Sequence, residues 1–149
     1  VARRVAGGIG ADRVDMRISP YGVFNGMAPD AQHDELYAQL AEALGALHLA
    51  YIHVVDHSAM GAPAVKDEIK RTVRECFGGT YILSGGYDPE RAERDLHGGR
   101  GDLVAFGRPF IANPKLVSRI KRGAELLEPD PSTFYTPGAK GYTDYPVDR

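Results

Sequence analysis

Cysteine is almost absent from the chain: Cys76 stands alone. An internal disulfide and a cysteine-rich zinc site are therefore excluded, which suits a reducing compartment. No other spacing of histidines and acids resembles a metal motif, so no metal is expected. Long apolar runs are absent too, and the opening VARRVAGGIG lacks the apolar core of a secretory signal. These absences make the cytoplasm the default location and leave no membrane partner. Nor is there an excess of charge of one sign. The 18 basic and 20 acidic side chains sum to −2, which supplies no general attraction for nucleic acid or an anionic surface. Specific anion sites stay open. What remains, 43% apolar and 26% charged over 149 residues, is the composition of a globular chain with material for a sizeable core.

Apolar periodicity divides the chain into repeating units. VARRVAGGIG reads as the tail of a helix begun upstream, because nothing like an N-cap precedes it. VDMRIS (14–19) predicts a strand that stops at Pro20. Leu36, Leu40, Leu44 and Leu47 then predict a helix over 34–47 with one leucine stripe against a sheet. YIHVV (51–55) is a second strand, followed by a helix on Val65, Ile69, Val73 and Cys76 that Gly78-Gly79 ends. TYILS (80–84) is a third strand. Asp88-Pro89 caps the next helix, which turns Ala92 and Leu96 inward and stops at Gly98-Gly99. LVAF (103–106) is a fourth strand, and Asn113-Pro114 begins a helix with Leu116, Val117 and Ile120 as its apolar face. From residue 128 onward, PDPS and FYTPGAKGYTDYP predict an extended tail laid over the domain.

Four strand-helix units in a row imply a parallel sheet with helices outside it. Two architectures satisfy that pattern: a small doubly wound sheet, or half of a (β/α)8 barrel, whose full form takes about 250 residues. In both, the site lies outside the carboxyl ends of the strands, and those positions are polar, glycine-rich or charged here. Arg17 sits in the first strand, where it needs an anionic ligand or a neighbouring acid. The third strand ends in Ser84-Gly85-Gly86 and the fourth in Phe106-Gly107-Arg108. A strand, a glycine turn and a helix start can gather backbone N–H groups around a phosphate, with the arginine adding a forked donor. A tight turn with a solvated arginine is the alternative at that position. Asp56-His57-Ser58 holds the residue types of a hydrolytic triad, but adjacent strand residues point to opposite faces, so capping and turn polarity are expected instead. His53 reads as a hydrogen-bonded interior histidine, and His33, His48 and His97 as solvent-side.

Several ordered motifs together resemble a known family. DMRISPYGVFNGM (15–27), YIHVV (51–55), TYILSGGYDPERAE (80–93), DLVAFGRPFIANPKLVSRI (102–120) and FYTPGAKGYTDYP (134–146) are similar to the C-terminal half of the old yellow enzyme family of FMN-dependent ene-reductases. The resemblance implies an α/β fold, a (β/α)8 TIM barrel of which this chain supplies the C-terminal half. Residues 1–127 would form four β/α units, and 128–149 a tail covering the flavin site. It implies that Arg17 lies beside the flavin's pyrimidine edge, where negative charge accumulates on reduction. It further assigns Gly85, Gly86, Gly107 and Arg108 to the phosphate cradle and Tyr135 to the substrate side of the flavin. The implied reaction moves hydride from NADPH or NADH through FMN to an activated alkene, usually an enone.

The chain departs from the family by what it lacks. In relatives, the pair of residues that grips the substrate carbonyl and the tyrosine that donates the proton come from the first half of the barrel, and none of their motifs is found here. No catalytic residue is therefore expected in this chain, which is expected to act only with a complementary N-terminal half-barrel, in one parent protein or as a second chain. A half-sheet leaves two strand edges and one interior face uncovered. A homodimer that closes eight strands and binds FMN or another phosphate ligand without catalysis is the alternative, as is an independent doubly wound phosphate-binding protein.

Overall fold

A computed structural model of the chain describes residues 1–147. The strands fall on the apolar runs: β1 (Met16–Ile18), β2 (Tyr51–Val55), β3 (Thr80–Ser84) and β4 (Leu103–Ala105). The crossover helices are α2 (His33–Gly45), α3 (Asp67–Phe77) and α4 (Pro89–His97). Helix α1 (Ala2–Ile9) precedes β1, and α5 (Arg108–Ala112) and α6 (Leu116–Lys121) follow β4. The sheet is wholly parallel in the order β1-β2-β3-β4. A doubly wound sheet reverses its strand order at a switch point, whereas here every strand lies beside its successor, as in a barrel.

Strand residues alternate between faces, and their burial follows that period of two. Ile52, Val54, Tyr81 and Leu83 are buried, and with Ile18 they pack into one core with Ala41 and Leu44 of α2 and Ile69, Val73 and Phe77 of α3. On the opposite face the register aligns Arg17 with His53, His53 with Ile82, and Ile82 with Leu103. That row is poorly covered, and Leu103 is 53% exposed. Strands β1 and β4 are the edges of the sheet.

The helices depart from the expected stripes in ways that packing explains. In α2 the buried positions are Ala41 and Leu44, while Leu36 is 60% exposed. Small side chains let α2 approach α3, and at the end of α2 a side chain on Gly45 would collide with the backbone carbonyl of Phe77. Val65 is buried ahead of α3, and Phe77 takes the inward place expected of Cys76, which is exposed. Helix α4 is capped as expected, the Asp88 carboxylate accepting from the Arg91 N–H at 2.7 Å, yet its inward positions are Ala92 and Asp95. Asn113 does not cap a helix. Its buried amide donates to the Pro109 and Leu127 carbonyls and accepts from the Leu127 N–H, so α6 starts later, at Leu116. Leu116 is buried there, whereas Val117 is exposed.

Two compact units result, Val1–Ala105 and Phe106–Arg149. In the second unit, Asn113 ties the α5 segment to the chain at Leu127. Within the second unit the tail is a series of turns. One is the 3-10 turn Pro131–Thr133, capped by the Asp130 carboxylate, which accepts from the Ser132 N–H at 3.0 Å. The close approach of α2 and α3 predicts that Gly45→Ala destabilises the chain by about 1–3 kcal/mol through overpacking, as read by urea unfolding with an unchanged m-value.

Candidate functional site

The carboxyl ends of the strands bear the polar residues, and each end is held differently. Arg17 of β1 is exposed on the open face, and its side chain has no ion-pair partner among the described residues. Its register neighbour His53 is only partly covered, yet its Nε2 is buried and has no hydrogen-bond partner among the described residues. The interior histidine is thus present, but its expected hydrogen bond is not. Burial, and then the positive charge of Arg17, lower the pKa of His53, which is therefore neutral at pH 7.

The chain leaving β1 is fixed by a cluster around Tyr21, which has a φ of 61°. The Tyr21 N–H donates to His33 Nε2 at 2.9 Å, and its hydroxyl donates to the Asp34 carboxylate. Tyr37 donates to the Ser19 carbonyl at 3.2 Å, and Lys66 pairs with Asp34 at 3.1 Å. His33 is consequently not a solvent-side residue, although His48 and His97 are exposed as expected.

At the end of β2, Asp56 is 5% exposed. One carboxylate oxygen accepts from the Ser58 N–H at 3.0 Å, and the other pairs with Lys70 at 2.7 Å. Burial works against ionisation, but the hydrogen bonds from Lys70 and Ser58, with the charge of Lys70, hold the Asp56 carboxyl below the ordinary carboxylate range. The His57 ring packs edge-on to Phe24, with centroids 5.1 Å apart. The Asp-His-Ser run therefore supplies the expected turn polarity through Asp56 and, through His57, a packing contact that was not expected, and it forms no triad.

The turn after β3 is pressed against this aspartate. Gly85 has a φ of 115°, and a side chain there would strike the Asp56 carbonyl, so only glycine fits. Gly86, at φ 61°, lies under Ala59. From the other side, Arg91 donates to the Gly85 carbonyl at 3.2 Å and lies over the Tyr87 ring, 4.1 Å from its centroid. Asp95, 3% exposed, accepts from the Tyr87 hydroxyl at 2.9 Å and pairs with Arg91 at 3.7 Å and Arg100 at 3.4 Å. Burial, reinforced by Asp95, pushes the Tyr87 hydroxyl up to about 12. Reading by helical spacing assigned the inward face of α4 to Ala92 and Leu96 and passed over Asp95. The available signal was its position three residues after Ala92 and four after Arg91.

The second unit holds the other three expected residues. Gly107 precedes α5, and a side chain built on it would meet nothing within 4 Å, which leaves room for a ligand. Arg108, the first residue of α5, is exposed with no ion-pair partner among the described residues. Tyr135 is 98% exposed at a φ of 61°. Among the described residues there is no group of metal-ligating side chains and no helix long and apolar enough to cross a membrane.

Consecutive parallel β/α units, each strand beside its successor, define one half of a (β/α)8 barrel. The model of the NADH:flavin oxidoreductase / NADH oxidase family matches residues 1–126, and the chain belongs to that family. Among curated relatives, it is 40% identical to putative 12-oxophytodienoate reductase 12 of Oryza sativa subsp. japonica, covering 98% of this chain and 38% of that protein. It is 37% identical to 12-oxophytodienoate reductase 2 of Arabidopsis thaliana, covering 98% and 40%. Among solved structures, morphinone reductase superposes with a TM-score of 0.89 at 40% identity, over 96% of this chain and 38% of that one. The old yellow enzyme from Trypanosoma cruzi gives 0.88 at 37% identity, over 99% and 38%. The chain thus spans about two-fifths of the length of these relatives, as a half-barrel does.

The Asp56–Lys70 pair makes a specific prediction. Lys70→Met leaves a buried carboxylate without its cation and should cost about 3 kcal/mol at pH 7. In the unsubstituted chain the folded pKa of Asp56 lies below its unfolded value near 4, so the pair's stabilisation is complete above about pH 4 and is lost as pH falls through the folded pKa. Urea unfolding across pH 7 to 3 should show the deficit of the variant shrinking on acidification.

Proposed function

We propose that the chain is the cofactor-holding C-terminal half of an FMN-dependent ene-reductase that uses NADPH or NADH and an activated alkene such as an enone. The observation that carries this reading is Arg17, a cation without an ion-pair partner among the described residues, on the open sheet face of a chain in a flavin oxidoreductase family. FMN, when bound, supplies hydride transfer between the nicotinamide and the alkene. Arg17 would set a positive charge at the flavin edge that becomes electron-rich on reduction, and so favour the reduced cofactor electrostatically. Gly85 and Gly86, and Gly107 with Arg108, are assigned to the flavin phosphate. Gly107 contributes an unobstructed approach and Arg108 a charged fork. Tyr135 is assigned to the substrate side of the flavin, and residues 128–149, of which 148 and 149 lie outside the described residues, are assigned to a tail over the flavin site.

In this reading the complementary N-terminal half-barrel contributes the proton donor and the carbonyl-binding pair, and the chain alone does not turn over. The uncovered face bearing Ile82 and Leu103 supports that division, because an apolar sheet face requires a cover. The same face favours one second reading, a homodimer that closes eight strands and binds FMN without catalysis.

Native mass spectrometry with the complementary half present tests both readings. One copy of each half with one FMN, together with enone-dependent NAD(P)H oxidation, is the expected result. A flavin-loaded homodimer without turnover supports the second reading, and a flavin-free complex rejects both. In the active complex, Arg17→Met should slow flavin reduction by NAD(P)H in stopped-flow absorbance by about 10²-fold, the scale of losing one preorganised electrostatic contact. Arg108→Met should instead weaken FMN by about tenfold and leave riboflavin unaffected, as loss of one charge-assisted contact implies. Unchanged reduction in Arg17→Met would remove that residue from the flavin edge.

A further inference from the structure

The most heavily bonded polar group at the glycine turn is one that flavin chemistry does not require. Asp95 lies in α4, among the side chains lining a cleft of about 340 Å³ that also includes Arg74, Arg91 and Arg100. It is 3% exposed, and an acid so buried is retained only where its bonds are satisfied. Here one oxygen accepts from the Tyr87 hydroxyl at 2.9 Å and lies 3.7 Å from Arg91, while the other lies 3.4 Å from Arg100. Arg91 reaches in turn from this carboxylate to the Gly85 carbonyl, with its guanidinium stacked on the Tyr87 ring. The Asp88 cap on the Arg91 N–H closes the far end of the same turn. Residues 85 to 88 are thus tied to α4 at the Gly85 carbonyl, the Tyr87 hydroxyl and the Asp88 carboxylate, and two of these ties are made by the side chains of Asp95 and its partner Arg91.

The turn has strong reasons to relax otherwise. Gly85 at φ 115° and Gly86 at φ 61° occupy backbone regions that glycine leaves readily, and glycine loses more conformational freedom on ordering than any other residue. An arginine beside a carbonyl is free to swing into solvent unless its charge is met elsewhere. Asp95 meets it, from the protein interior. We propose that Asp95 is a positioning residue which, through Arg91 and Tyr87, locks the Gly85–Gly86 turn in the conformation that receives the phosphate of the cofactor. The phosphate part of this inference rests on the flavin reading above; the locking of the turn rests on this structure alone.

The test uses the chain together with its complementary half, with Asp95→Asn and Arg91→Met as single and double variants. FMN and riboflavin differ only in the phosphate, so the ratio of their dissociation constants isolates the turn from general effects on the fold. Asp95→Asn should lower the preference for FMN by about tenfold with riboflavin affinity unchanged, the size of one lost charge-assisted hydrogen bond. The double variant should be no worse than the more severe single one, because both act through one chain of contacts. Equal weakening of both ligands, or no change in the ratio, overturns the assignment, as do additive variants. Amide hydrogen exchange without flavin provides the second readout. Asp95→Asn should accelerate exchange at the Arg91 N–H, which the Asp88 carboxylate of the turn holds, by at least about tenfold relative to β2, in keeping with a loss of local opening free energy. If the unsubstituted complex binds no FMN, the flavin reading and the phosphate assignment fall together, and the exchange result decides the locking role by itself. Unaltered exchange rejects it.

Discussion

The exits of β2 and β3 are brought so close that only a glycine fits between them, Gly85 lying against the Asp56 carbonyl. Much else in the first unit is arranged to sustain that approach. Lys70 and the Ser58 N–H hold the Asp56 carboxylate from the side of α3, and Arg91 holds the Gly85 carbonyl from the side of α4. At the opposite end of β3, Asp102 accepts from the Tyr81 N–H at 2.8 Å and from both terminal nitrogens of Arg74. The hydrogen bonds from Arg74 lower the Asp102 pKa, which keeps this carboxylate charged and bonded. A short strand is thereby gripped at both ends by aspartates whose cations come from the helix layer.

This arrangement divides the labour between the faces of the sheet. The helix-facing side is closed by aliphatic packing and by ion pairs that cross from strand ends to helices. The other side carries Arg17, His53, Ile82 and Leu103 in one register row and is left open. A parallel sheet in a barrel is covered on both faces, and the chain spans about two-fifths of its relatives. The Nε2 of His53 and the guanidinium of Arg17, neither with a partner among the described residues, are the polar counterpart of that open face. Both are groups that a buried position would tolerate only with a partner.

Much of the fold was legible as pattern. YIHVV and TYILS became strands with the expected bounds, Asp88-Pro89 capped its helix, and strand-helix alternation announced a parallel sheet. Reading failed where tertiary contact overrode periodicity. Leu36 lost its place to Ala41 because closely packed helices favour a small residue, Cys76 gave way to Phe77, and Asn113 became a buried strut instead of a cap. The candidate site was legible only as residue types at expected positions. Glycine pairs and arginines stood out at strand ends, but what holds them did not, because Asp95, Arg91 and Tyr87 carry no motif.

Local sequence determined the order and type of the elements, since alternation of apolar residues, turn glycines and a proline-started helix act over a few residues and need no distant partner. The motifs in that order also sufficed to identify the family. Tertiary structure alone decided that each strand lies beside its successor, that Gly85 meets Asp56, and that Asp95 is buried between two arginines. Those outcomes depend on residues far apart in the chain, and the energy of a buried charge is set by the neighbours that folding brings to it.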